Sequence, residues 1–144
     1  AVLVVFMCNH CPFVKAKLDA LAAIYKEFKD KGLFMIGINP NDTKEYPEDD
    51  MGNMKKLVAK VPYHYVRDDF QDIARAYGAV CTPDPYLFDG SLKLVYHGSI
   101  DDASGPEKTP TTADLRDAVK ALTGGSFKPG KEKPSMGCSI KWKE

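Results

Sequence analysis

The apolar, valine-rich run Ala1 to Met7 passes without a break into Cys8-Asn9-His10-Cys11-Pro12. A continuous run with no apolar/polar alternation fits a strand buried on both faces, as inside a parallel sheet. After it, Val14, Leu18, Leu21, Tyr25 and Phe28 recur at helical spacing, with Lys15, Lys17, Asp19, Lys26, Glu27 and Lys29 on the other side and Gly32 as the closing cap. Leu33 to Ile38 is a second short apolar run. Strand, helix and strand in this order make a βαβ unit with a right-handed crossover. The two cysteines therefore sit where a buried strand hands over to a helix.

Size and charge narrow the function classes. A chain of 144 residues holds one core comfortably and two poorly. Its four cysteines are far below the roughly 8–10% density of a disulfide scaffold. Twenty basic against 20 acidic side chains argue against a phosphate-driven nucleic-acid binder. The run ending at Cys8 is far short of the roughly 20 residues of a membrane span. It also lacks the basic lead-in and small-residue cleavage site of a signal peptide. A soluble single domain is expected.

Further along, Asn39 to Asp50 carries Pro40, Pro47 and the acids Asp42, Glu45, Glu48, Asp49 and Asp50 against Lys44 alone, and reads as a solvated polar loop. A helix is expected from about Asp50 to Lys60. Asp69 is an N-cap candidate for a helix over Phe70 to Tyr77, ended by Gly78. Tyr86 to Phe88 and Leu92 to His97, joined at Asp89-Gly90, read as a β-hairpin. Thr111 or Thr112 caps a last helix with Leu115, Ala118, Val119 and Leu122 inward and Gly124-Gly125 at its end. A domain over 1–125 and a tail over 126–144 follow, the tail packing back through Ile140 and Trp142. The order gives an α/β fold, a mixed central sheet with helices on both faces.

A thiolate at a helix N-terminus is stabilised by unpaired N–H groups and the helix dipole, so an acidic Cys8 thiol is expected there. Cys11 lies one turn on, within reach of a disulfide, and Pro12 suits a first-turn position because its missing N–H has no partner to lose. Cys8 attacking a substrate disulfide and Cys11 resolving the mixed disulfide is the chemistry this spacing supports. A haem attachment needs histidine where Pro12 stands. Structural zinc needs four ligands, and Cys81 and Cys138 are remote in sequence; two buried structural cysteines are the remaining alternative. His10 is either a satisfied first-turn side chain or a group that stabilises the thiolate, and Asn9 flanks it. No metal or organic cofactor is required.

The segments Met7 to Ala16, Ile38 to Asp42, Tyr77 to Asp84 and Gly137 to Lys143 resemble those of the thioredoxin-like superfamily. More narrowly, they resemble bacterial thioredoxin-family proteins related to AhpC/TSA and to cytochrome-maturation thioredoxins. The resemblance implies the thioredoxin fold, Cys8 as attacking thiol and Cys11 as resolver. It also implies a cis-Pro83 facing the pair, with Thr82 presenting its backbone to an extended substrate. The buried carboxylate that many thioredoxins carry six residues before the first cysteine is replaced by Val2, so proton transfer falls to water, His10 or another acid. The superfamily's larger members have an extra strand or hairpin and a helix ahead of the first active-site strand, where this sequence starts, so a start lying outside it is expected.

Peroxiredoxins, the rival enzymes, place a proline seven residues and a threonine or serine three residues before the nucleophile. Those positions are Ala1 and Val5 for Cys8, and Val4 and Cys8 for Cys11. Neither register matches. A module that senses thiols or binds partners without turnover is the non-enzymatic alternative. Cys81 reads as a packed residue near the substrate loop, and Cys138 as an extra resolving thiol or an exposed cysteine. The expected partner is a protein or small-molecule disulfide or dithiol. The cytoplasm is the favoured compartment, with the periplasm or secretion as the alternative if a leader precedes the sequence.

Overall fold

The computed structural model describes residues 1–103, 109–128 and 132–143. The parts of the expected tail at 129–131 and 144 lie outside the described residues. Strand β1 (Val2–Phe6) leads through the cysteine pair to α1 (Pro12–Lys15) and α2 (Leu18–Phe28), then to β2 (Phe34–Asn39). Next come α3 (Met51–Val58), β3 (His64–Arg67), α4 (Asp72–Tyr77), β4 (Cys81–Thr82), β5 (Asp84–Phe88) and β6 (Leu94–His97). Helix α5 (Asp114–Thr123) and the short β7 (Cys138–Ser139) complete the chain.

The main sheet has the order β3-β2-β1-β5-β6. β1 runs parallel to β2 and antiparallel to β5, so it is central and the sheet is mixed. Alternate residues of a strand face opposite sides, and β1 divides its side chains accordingly. Leu3, Val5 and Met7 pack with Leu21, Ile24 and Phe28 of α2 and Leu115 and Val119 of α5. Val4 and Phe6 pack with Ile38, Ala74, Ala79 and Tyr86 on the other face. Both faces of β1 are thus covered, as an unbroken apolar run demands.

Local departures have physical causes. The first helix is broken at Ala16 and Lys17, where Lys17 turns inward and its Nζ meets Asp101 Oδ1 at 2.5 Å. Gly32 ends that region with a φ of 94°, a left-handed conformation that favours glycine. Strand β3 is an addition: only Tyr65 of its residues is buried, so it carries no apolar run for sequence reading to find. α4 starts at Asp72, and Asp68, not Asp69, satisfies its first turn by accepting the Ala74 N–H at 2.8 Å. α5 starts at Asp114, because the Thr111 and Thr112 N–H groups are turned to Asp102 Oδ1 instead. The hairpin of β5 and β6 forms, with its second strand starting at Leu94 instead of Leu92, which sits in the turn at φ 62°.

The solvated reading of Asn39 to Asp50 holds for the exposed Lys44, Glu45 and Glu48 and is corrected for four other polar residues. Asn39, Asn41, Asp42 and Asp49 are all buried. This loop leaves the C-terminal end of β2 next to the end of β1, at the edge where parallel strands of an α/β sheet present their sites. The buried side chains bond within the loop and to the tail: Asn39 Oδ1 accepts the Asn41 N–H, Asn41 Nδ2 donates to Asp49, and Asn41 Oδ1 accepts the Lys141 N–H. Gln71, buried and at φ 62°, donates from Nε2 to Pro40 O at 2.8 Å and to Lys141 O at 2.9 Å.

Candidate functional site

The ladder between β1 and β2 is prolonged by Met7 N–H donating to Ile38 O at 2.9 Å, and this fixes the backbone just before Cys8. Cys11 is the extended N-cap residue of α1, its carbonyl accepting from Val14 and Lys15, and Pro12 opens the helix. Cys8 is 1% exposed and Cys11 fully buried. Opposite them, the Thr82–Pro83 peptide is cis, at the turn from β4 into β5. Cys8 Sγ lies 3.5 Å from Thr82 Oγ1, and Cys11 Sγ lies 3.9 Å from the Thr82 carbonyl oxygen. Both sulfurs of the pair meet at one residue.

A third sulfur joins them. Cys11 is disulfide-bonded to Cys138, 127 residues away, with a Cα–Cα distance of 6.5 Å, and Cys8 is a free thiol. Cys138 reaches this place because β7 pairs antiparallel with β4, Thr82 opposite Cys138 and Cys81 opposite Ser139. The ladder continues with Ile140 N–H donating to Val80 O at 3.0 Å. Lys141 N–H donates to Asn41 Oδ1 at 2.9 Å, and Asp42 N–H to Lys141 O at 2.8 Å. Gly137 passes so close that a Cβ would overlap the Thr82 carbonyl oxygen. Gly137→Ala is therefore expected to lift the tail, lowering stability by about 1–3 kcal/mol and slowing Cys11–Cys138 bond formation. A denaturant midpoint and disulfide mapping check both effects.

The corrected loop supplies an acid that sequence reading missed. Asp49, fully buried, accepts the Asn9 N–H at Oδ1 at 2.7 Å and Asn41 Nδ2 at Oδ2 at 2.9 Å. His10 Nδ1 lies 2.5 Å from Asp49 Oδ2 without hydrogen-bond alignment, and its ring stacks on Tyr46 with centroids 5.9 Å apart. Asn9 is held further by Nδ2 donating to Glu48 O at 3.0 Å and by Tyr65 O–H donating to Oδ1 at 2.9 Å. The residues between the two cysteines are thus clamped from β3 and from the loop. The available signal was positional: a Pro-containing polar segment directly after the second parallel strand.

Electrostatics overturn the acidic-thiol expectation. Burial pushes the Cys8 thiol above its ordinary 9.0, with the Asp49 charge adding to the rise and the Thr82 hydroxyl opposing it. Cys8 stands before the N-cap, and α1 is a single short turn with little dipole to offer. The Cys8 alkylation rate is accordingly expected to climb with pH to a midpoint above 9.0. The proton is bound more tightly in the folded chain. Its contribution to stability is complete below the unfolded thiol's pKa and lost as pH rises through the folded value. Cys81, half-buried on β4, is pushed to about 11 by burial and the Asp84 charge, which makes it a weak nucleophile.

Ligand atoms of Cys8, His10 and Asp49 lie within 4.8 Å of one another, a donor set with metal-binding composition. A four-ligand structural zinc site needs one more donor, and Cys11 is committed to Cys138. Beside His10 an open groove of about 460 Å³ is lined by Asn9, Lys15, Lys56 and Lys60 among others. Among the described residues no helix is long and apolar enough to cross a membrane.

A family model described as the AhpC/TSA family matches residues 1–97. An uncharacterized conserved protein from Geobacillus kaustophilus superposes with a TM-score of 0.92 at 45% identity, covering 99% of this chain and 77% of that one. A hypothetical protein from Sinorhizobium meliloti gives 0.91 at 39% identity, covering 99% and 79%. A secreted Mycobacterium tuberculosis disulfide oxidoreductase homologous to Escherichia coli DsbE gives 0.60 at 17% identity, covering 86% and 80%, a likeness of fold. That fold is the expected thioredoxin-like α/β arrangement. No curated protein matches the chain.

Proposed function

Because the chain belongs to the AhpC/TSA family, we propose that it is a thiol–disulfide oxidoreductase with Cys8 as the attacking sulfur and Cys11 as the resolving one. The observation that carries this reading is the convergence of both sulfurs on Thr82, beside the cis-Pro83 turn. In the first step Cys8 gives up its proton and its sulfur bonds to one sulfur of a substrate disulfide, the other leaving as a thiolate. Cys11, free of Cys138 in the reduced chain, gives up its proton and attacks Cys8 Sγ; the substrate sulfur bonded to Cys8 leaves as a thiolate that takes up a proton, and a Cys8–Cys11 disulfide remains. Two electrons have passed to the substrate, and the reverse sequence oxidises a dithiol.

Each neighbour has a role in this scheme. Asp49, a buried carboxylate with an oxygen within 4.8 Å of Cys8 Sγ, takes the Cys8 proton, the task left open by Val2. The Asn9 N–H ties the segment between the cysteines to that carboxylate, His10 stands against it, and Pro12 fixes the start of α1. Thr82 and Pro83 receive the substrate backbone as an added strand. The substrate is a disulfide or dithiol of a protein or small molecule, and no organic cofactor takes part.

The family description also favours a second reading, a thiol peroxidase. The absence of a threonine or serine three residues before Cys8, where Val5 stands, weighs against it. Reduction of a protein disulfide and consumption of hydrogen peroxide, both with dithiothreitol as electron donor, separate the two. Faster disulfide reduction supports the proposal, and faster peroxide consumption overturns it.

A further inference from the structure

We propose that Cys138 is a third thiol of the exchange cycle, carried by a tail strand that occupies the docking edge of the protein's own site, and that it takes Cys11 from the Cys8–Cys11 disulfide. The inference rests on the reading of Cys8 and Cys11 as the exchange pair. Thr82 is the point of convergence. Cys8 touches its hydroxyl, Cys11 its carbonyl, and Cys138 is its cross-strand partner. A substrate received by β-strand addition would use the edge of β4 that β7 now fills. The tail thus lies where a substrate segment would lie, with its own sulfur bonded to the site.

The step balances without an outside oxidant. The Cys138 thiolate attacks Cys11 Sγ, a Cys11–Cys138 bond forms, the Cys8–Cys11 bond breaks, and Cys8 leaves with the electron pair. The proton given up by Cys138 ends on Cys8. Burial of Cys8 next to Asp49 favours that neutral thiol, and so favours the isomer in which Cys8 is free. The number of disulfides stays constant. The result is the arrangement the structure holds, Cys8 as thiol and Cys11 bonded to Cys138.

Placement is built in rather than accidental. Gly137 admits the close pass over Thr82 O, Ile140 is 3% exposed, and Lys141 is bonded on both sides by Asn41, Asp42 and Gln71. Asn41 also holds Asp49, so one side chain joins the docked tail to the acid beside Cys8. A substrate that enters by strand addition must displace β7, and a tail that has captured Cys11 both fills the edge and removes the resolving sulfur. Oxidation is stored in a form that exposes no Cys8–Cys11 disulfide to partners.

The test follows the disulfides in time. The fully reduced chain is mixed with one equivalent of oxidised glutathione, quenched in acid at intervals, alkylated in denaturant and mapped by mass spectrometry. The expected order is a glutathione adduct on Cys8, then Cys8–Cys11, then Cys11–Cys138 with Cys8 alkylated. In C138S and C138A the sequence stops at Cys8–Cys11, and in C8S the Cys11–Cys138 bond forms far more slowly. A wild-type chain that ends at Cys8–Cys11 overturns the proposal, as does a Cys11–Cys138 bond that forms at the wild-type rate in C8S. Failure of the underlying reading looks different: neither the Cys8 adduct nor Cys8–Cys11 appears, even in C138S. The wild-type time course needs no substitution, so it holds even if a variant folds poorly.

Discussion

Cys8→Ser is expected to lower protein-disulfide turnover by roughly 10³-fold or more, since the nucleophile is the group whose loss leaves only binding behind. The expectation comes from position rather than from acidity. Cys8 is the unbonded sulfur of the pair, held 3.5 Å from the Thr82 hydroxyl, while Cys11 is bonded to Cys138. The serine variant is close in size to the cysteine it replaces, so a loss of turnover with an unchanged denaturant midpoint assigns the effect to chemistry. Turnover that persists in Cys8→Ser removes the mechanism. Cys81→Ser, by contrast, is expected to leave turnover near the wild-type rate, because that thiol is held at about 11 and pairs across the ladder with Ser139.

The second large effect is expected at Asp49. Asp49→Ala strands the buried Asn41 amide and the half-buried Asn9 N–H, and leaving a buried donor unpaired costs about 1–3 kcal/mol. A loss of roughly 3–5 kcal/mol, as for a broken buried charged network, is the expected drop in unfolding free energy. Asp49→Asn is the more telling variant because it keeps the size and removes the charge. With the charge gone, one cause of the raised Cys8 thiol disappears, so the midpoint of its alkylation profile moves down. If Asp49 acted only through that charge, exchange at neutral pH would speed up, more thiolate being present. As the proton acceptor for Cys8, its replacement slows exchange despite the lower midpoint. A single-turnover pH profile of Asp49→Asn beside the alkylation profile reads both directions at once.

These two residues show how differently parts of the site announce themselves in sequence. Ala1 to Met7 and the pair behind it are legible because a buried strand needs continuous apolar residues and a C-x-x-C spacing has few uses. The hairpin is legible from Asp89-Gly90, a turn with its own backbone demands. Asp49 is hidden by its company. Five acids in one short segment read as solvated, and nothing local reveals that Asn9, His10 and Asn41 fold around one of them. Strand β3 is hidden for the opposite reason, since an edge strand with one buried side chain, Tyr65, leaves no pattern. The Cys11–Cys138 bond spans 127 residues, and only the register of β7 on β4 brings its ends together.

In the proposed cycle Cys8 is the sulfur a substrate meets. The variant that isolates it is Cys11→Ser combined with Cys138→Ser, which removes the proposed resolving sulfur and the thiol bonded to it. Mixed with a protein disulfide, quenched in acid and mapped, this variant is predicted to accumulate a stable adduct through Cys8. An adduct through Cys81, or none at all from a folded chain, would remove Cys8 from that role.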